Sequence, residues 1–193
     1  MFNDLSSPAA FLATRRSGKP RDMVAPGPDS AEMREILSTA MRTPDHGKLA
    51  PWRFVTIEKD QREAFAEILH SAYRIDKEQP GRLEREAIEQ FAHQAPSLVV
   101  VLYSPREDSK IPLWEQELSA GAACMNLLSA AHARGYVGGW LTGWAAFSDE
   151  VRDAFGAAPE KIAGFIFLGT AGAELSERPR PDYDDVVSAW QPA

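Results

Sequence analysis

The chain has 193 residues, 44% of them hydrophobic and 25% charged, a composition that suits one globular domain able to bury a substantial core. A formal net charge of −7 leaves no basic excess to displace counterions from nucleic acid, and a single cysteine, Cys124, excludes an internal disulfide or a multi-cysteine metal site. The opening residues lack the basic-then-apolar layout of a signal peptide and no apolar run is long enough to cross a bilayer, so a cytoplasmic protein without nucleic-acid or membrane partners is expected.

Along the chain, Ser7-Pro8 reads as an N-cap followed by proline at the first helical position, opening a short helix through Phe11 and Leu12. Gly18, Pro20, Pro26, Gly27 and Pro28 mark a loop. Asp29 with Glu32 forms a capping-box pattern before a helix carrying Met33, Ile36, Leu37, Ala40 and Met41, which should stop near Arg42 because Pro44 disfavours helix before it. Trp52–Ile57 is a strand by its aromatic and β-branched content, and two amphipathic helices follow at about 61–75 and 83–93. Ser97–Tyr103 is a short, wholly apolar buried strand. The longest helix runs from Trp114 to about Arg134, closed by Gly135. A strand or loop at Gly138-Gly139-Trp140, a short helix at 148–155 and a strand at 161–168 complete the pattern. Strands separated by helices are not hairpins, so the expectation is one α+β domain over residues 1–193, with a mixed sheet covered by helices and an extended tail from about 175 to 193.

Five places could carry chemistry. Arg15-Arg16-Ser17 offers bidentate guanidinium donors and a hydroxyl to a phosphate, or is a solvated pair of cations at a helix end. The stretch from Arg42 through His46 to Pro51-Trp52 gathers polar side chains on a loop between rigid elements, or is a turn with hydrated charges; His46 has no second histidine or cysteine nearby to make a metal site. Gly135 to Gly143 lets backbone approach a ligand, or marks a tightly packed strand, and is no dinucleotide fingerprint because it does not open a helix after a strand. Arg178 and Arg180 in the tail reach a phosphate or sit in a solvated linker, while Trp114-Glu115-Gln116-Glu117 is either a functional helix start or an aromatic anchor with acids facing the helix dipole. Serine-hydrolase, zincin and nucleotide-triphosphate motifs are missing.

Taken in order, Arg-Arg-Ser, then Arg-x-Pro-Asp-His running into Pro-Trp, then a small-residue helix, Gly-Gly-Trp-x-Thr-Gly and Gly-Phe-Ile-Phe-Leu-Gly-Thr, the chain resembles the flavin-dependent nitroreductase family over Leu12–Thr170. It is most similar to the short NAD(P)H nitroreductase branch that has Pro-Asp-His where larger members carry serines. That resemblance implies an intertwined homodimer with FMN at the interface. It implies that Arg15, Arg16 and Ser17 hold the phosphate, ribityl chain and polar flavin edge, with Arg16 the cation near N1–O2. Arg42 and His46 would be flavin contacts from the other subunit, and Trp140, Leu141 and Thr142 would lie against the cofactor. Ala130, Ala131, His132, Ala133, Arg134 and Gly135 match a segment assigned to NAD(P). The implied reaction passes hydride from NAD(P)H through flavin N5 to a nitroaromatic or quinone-like acceptor, with no protein nucleophile and no metal. Two departures stand out: Leu141 replaces an arginine of a relative, and Ala50 precedes Pro51 where the family often has glutamine. Arg178 and Arg180 are candidates for the family's C-terminal phosphate ligand. A same-fold flavoenzyme for one metabolite (a dehydrogenase or dehalogenase) and a non-catalytic flavin-binding protein are the alternatives.

Overall fold

The computed structural model describes residues 1–192. Its helices are α1 (Pro8–Thr14), α2 (Ser30–Ala40), α3 (Arg62–Asp76), α4 (Arg82–His93), α5 (Leu113–His132), α6 (Asp149–Asp153) and α7 (Tyr183–Val186). Its strands are β1 (Met23–Val24), β2 (Trp52–Ile57), β3 (Ser97–Tyr103), β4 (Val137–Leu141) and β5 (Lys161–Ala171). Local chemistry accounts for most of the boundaries. The Ser7 hydroxyl accepts the Ala10 N–H to start α1. Asp29 accepts the N–H groups of Ala31 and Glu32 while Glu32 reaches back to the Asp29 N–H, so the expected capping box opens α2. Gly135 adopts φ +85° and ends the turn after α5, a conformation in which a Cβ is strained.

The strands form one sheet in which β5 lies between β3 and β4, β2 pairs with the outer side of β3, and β1 extends the pairing at Thr170 and Ala171. Every pairing is antiparallel. The α+β class expected from the sequence holds, and the connections explain the pairing. Two helices, α3 and α4, link β2 to β3 and return the chain to the end it left, which makes that pair antiparallel. A single helix, α5, links β3 to β4, so these two run the same way, but β5 is inserted between them and opposes both. The mixed sheet expected from helix-linked strands is therefore met in direction only: β3 and β4 run the same way but are separated by β5, and every hydrogen-bonded pair is antiparallel.

Both faces of the sheet are covered. Leu98, Val100, Leu102, Phe165 and Phe167 meet Phe65, Leu69, Ile88 and Ala92 of α3 and α4 on one side. Val99, Val101, Ile166 and Leu168 meet Ile36 of α2 and Cys124, Leu127 and Ala131 of α5 on the other. Alternation along β3 and β5 feeds both layers, which is why Ser97–Tyr103 reads as an unbroken apolar run. Cys124 sits inside the second layer, where burial pushes its thiol up to about 12, so it is a packing residue rather than a nucleophile. Sequence periodicity passes over β1, two residues inside a stretch that reads as loop, because its pairing partner lies nearly 150 residues away. The tail beyond Gly172 is exposed except for partly buried Leu175, and it contains the one-turn α7.

Candidate functional site

Two groups of predicted residues assemble at opposite ends of α5, and β4 joins one of them to a cavity. The first group is basic. After α1, the segment Arg15–Gly18 runs beside the start of β4, with the Gly18 N–H donating to the Gly138 carbonyl at 3.1 Å. Asn3 clamps Arg16 by accepting its N–H at 2.7 Å and donating to its carbonyl at 3.1 Å. Arg15 Nη1 donates to Ser17 Oγ at 3.3 Å, and Arg16 Nε donates to the Ser176 carbonyl at 2.7 Å. That last bond pins the beginning of the tail here and brings Arg180 into range. Burial lowers the Arg15 guanidinium from its ordinary value, and the positive charges of Arg180 and Arg16 lower it further. Among the described residues neither Arg15 nor Arg16 has a carboxylate partner. Converging cations without an anion are electrostatically unfavourable until a polyanion joins them.

Below this cluster lies His132, at 1% exposure. Its Nε2 accepts the Gly138 N–H at 2.9 Å, so the ring proton is on Nδ1, which has no hydrogen-bond partner. Burial, aided by the charge of Arg15, lowers the imidazole to about 4. The NAD(P) segment inferred by resemblance is divided by the structure. Ala130, Ala131 and His132 are buried at the end of α5, while Ala133, Arg134 and Gly135 are exposed and Arg134 pairs with Glu35 at 2.6 Å.

The glycines of β4 are occupied by protein. A Cβ on Gly138 would stand 2.5 Å from Leu128 Cδ2, and one on Gly139 would stand 2.9 Å from the Gly18 carbonyl oxygen. Of the two readings of this segment, close packing is the one realised. Ligand space begins further along. Trp140 and Thr142 line a cavity of about 710 Å³ together with Tyr103, Gly121, Phe147 and Lys161, a size and aromatic character suited to a cofactor ring. Leu141 points the other way, partly buried against the core beneath α3 and α4, as strand alternation requires. A second groove of about 720 Å³, between α2 and the end of β2, carries none of the predicted residues.

Trp140 is held by a device the sequence does not advertise. The register between β3 and β5 shifts at Val101/Leu102, skipping Ala163, and the Ala163 carbonyl accepts the Trp140 indole N–H at 3.0 Å. The ring occupies the space above Gly164, where a Cβ would be 2.0 Å from Nε1, and its far edge reaches Gly121. Gly164→Ala is accordingly expected to evict the indole and to destabilise the fold by about 1–3 kcal/mol as overpacking. Urea denaturation checks this, and an unchanged midpoint would show that Trp140 is not seated there.

The second group is the loop after α2. Arg42 and His46 are exposed and line neither cavity. The loop is instead tied along one face of α5. Asn126 Nδ2 donates to Thr43 Oγ1 at 2.8 Å, Ser119 Oγ donates to the Pro44 carbonyl at 2.7 Å, and His46 Nδ1 lies 2.8 Å from Glu115 Oε2. Asp45 accepts the N–H groups of Leu49 and Ala50, while Gly47, Lys48 and Ala50 all have positive φ. In one chain the basic cluster and this loop are therefore separate sites on α5, which is what a cofactor shared between two subunits would require.

The model of the nitroreductase family matches residues 12–170. The chain belongs to the nitroreductase family. It is 36% identical over 167 residues, 86% of its own length and 89% of the relative's, to the Escherichia coli strain K12 protein named "Putative NAD(P)H nitroreductase YdjA". A nitroreductase-like family protein from Bacillus cereus shares the fold with a TM-score of 0.79 at 17% identity, covering 95% of this chain and 96% of that one. An FMN-bound nitroreductase from Bacteroides fragilis shares it with a TM-score of 0.69 at 21% identity, covering 93% and 96%. The family match begins at Leu12 and ends at Thr170, so it includes both α5-flanking groups and β4 but leaves the tail outside.

Proposed function

We propose that this family member is an FMN-dependent oxidoreductase, one domain with an extended tail, that takes hydride from NAD(P)H and passes it to nitroaromatic or quinone-like acceptors. It works in the cytoplasm, where a lone buried cysteine is suited to a reducing environment, as a homodimer with the cofactor between subunits. The observation that carries this reading is the half-buried Arg15–Arg16 cluster, which has no carboxylate partner among the described residues, joined by β4 to the Trp140 cavity. Guanidinium donors with Ser17 match a phosphate, and an aromatic-walled cavity matches a planar heterocycle, so the residues present fit FMN. The E. coli relative's name supplies NAD(P)H and the B. fragilis structure supplies FMN.

When bound, FMN supplies hydride acceptance and delivery at N5, chemistry for which the chain itself carries no redox group. The protein's part is placement. Arg15, Arg16 and Ser17 bind the phosphate, the ribityl chain and the flavin's polar edge, with Arg16 nearest N1–O2 and Arg180 adding positive charge at the phosphate. Trp140 and Thr142 flank the ring, and the lashed loop presents Arg42 and His46 to the neighbouring subunit. Large apolar side chains left in solvent on α1, α5, the turn after β4 and the tail, among them Leu12, Trp114, Leu118, Phe147 and Trp190, support the dimer. The test is the absorption spectrum of the purified protein, with heat release and identification of the chromophore, its mass in solution, and oxidation of NADH and NADPH with a nitroaromatic acceptor. A yellow dimer that turns over is expected. A monomer that stays colourless in excess FMN would end the proposal.

A further inference from the structure

Glu115 falls in the Trp114–Glu117 stretch, which reads from sequence either as a functional helix start or as an aromatic anchor with acids complementing the helix dipole. The structure gives this carboxylate a different task. Reading down α5 from Asn126 to Ser119 to Glu115, the helix meets the loop residues Thr43, Pro44 and His46 in rising order. The spacing of seven and four residues keeps all three contacts on one helical face. The Asn126 contact holds the buried Thr43 hydroxyl, which itself donates to the Ala40 carbonyl, the Ser119 contact holds the backbone at Pro44, and the third fixes the His46 ring. Asp45 and the left-handed residues Gly47, Lys48 and Ala50 hold the rest of the loop, so the His46 Cα is placed before its ring is.

A carboxylate accepts hydrogen bonds and cannot donate them. At 2.8 Å from Glu115 Oε2, Nδ1 of His46 must carry the proton. Nε2 is then left as the free atom of a side chain that is 65% exposed, and in the neutral ring it is an acceptor. We propose that Glu115 is a positioning residue that locks His46 in this tautomer and orientation, so that Nε2 is presented to an N–H donor on the cofactor's ring system. This rests on the FMN reading above, whose imide N–H is a donor of the required kind. The pair is too exposed to matter as a stabilising salt bridge, since surface pairs contribute about 0–1 kcal/mol, so its consequence is directional rather than energetic.

The experiment records the imidazole nitrogen resonances of His46 at pH 8, and titrates the apoprotein with FMN and with riboflavin, for the native chain, Glu115→Gln and Glu115→Leu. Glutamine keeps an acceptor oxygen and leucine does not. Native and Glu115→Gln proteins are expected to show the proton on Nδ1, whereas Glu115→Leu shifts it toward Nε2. Affinity in Glu115→Leu should fall about tenfold, the loss of one hydrogen bond of about 1.4 kcal/mol, and equally for FMN and riboflavin because the contact is to the ring. Glutamine should restore both. A native ring protonated on Nε2 would overturn the proposal, as would a leucine variant with unchanged tautomer and unchanged affinity. A native chain that binds neither flavin fails the cofactor reading itself, and the nitrogen spectrum still decides the tautomer.

Discussion

Replacing Arg15 and Arg16 together by alanine is expected to weaken FMN binding roughly a hundredfold or more while weakening riboflavin binding far less, by the part Arg16 contributes at the flavin's polar edge. The two ligands differ only in the phosphate, so their ratio isolates the group that these arginines are argued to hold. Two lost charge-assisted hydrogen bonds, at about 1.5–3 kcal/mol each, set the scale. The fold should not suffer in proportion. Arg15 is already disfavoured by its burial and by the charges of Arg180 and Arg16, so removing the pair relieves repulsion as well as deleting the Arg16 bond to Ser176. Isothermal titration with both flavins and a thermal melt check this. Equal losses for FMN and riboflavin would mean that the cluster acts on folding rather than on phosphate. Single replacement of Arg180 should give a smaller loss in the same direction, because its guanidinium already pairs with Glu177 at 3.4 Å.

Acidification from pH 6.5 to 4 should cost the folded state about 3 kcal/mol through one residue. His132 has a folded-state value of about 4 against 6.5 for the free side chain, and each unit of difference corresponds to about 1.36 kcal/mol. The sign follows from proton uptake. Between those pH values the unfolded chain binds a proton at His132 that the native chain refuses, so stability is complete above 6.5, falls through the window, and levels off below 4. Glu84, lowered to about 2, and Glu160 have depressed carboxylate values and act in the same direction, but below pH 4.5, which leaves the upper part of the window to the histidine. His132→Gln retains an acceptor for the Gly138 N–H and cannot titrate, so its urea-denaturation midpoint should be flat from pH 6.5 to 4.5 where the native midpoint falls. Parallel curves for the two proteins would remove His132 as the cause.

Much of the molecule was legible before any coordinates. Ser7-Pro8, the Asp29–Glu32 box and Gly135 end or begin helices through bonds within a few residues, so their information is local and survives in the linear chain. The apolar run Ser97–Tyr103 required only that a strand be buried on both faces. Arg15-Arg16-Ser17 was recognisable as a phosphate candidate because guanidinium chemistry is the same in any fold.

Other features depended on residues brought together from far apart. Gly138 and Gly139 could equally have faced a ligand or a neighbour, and only the positions of Leu128 and Gly18 showed that they face neighbours. Leu141 sits beside two cavity residues in sequence yet turns into the core, a consequence of strand alternation once the sheet's faces are assigned. His132 was one member of the segment assigned by resemblance to NAD(P), and only the fold showed that α5 buries it beneath Arg15. Glu115 could as well have been an acid facing the helix dipole, since its partner His46 lies 69 residues away. The sequence by itself determined the elements, their caps and the family, because those follow from short-range bonding and from residue order. The tertiary structure alone decided which faces are filled and which charged groups meet, Glu115 with His46 among them, because burial and electrostatics depend on distances that chain order does not contain.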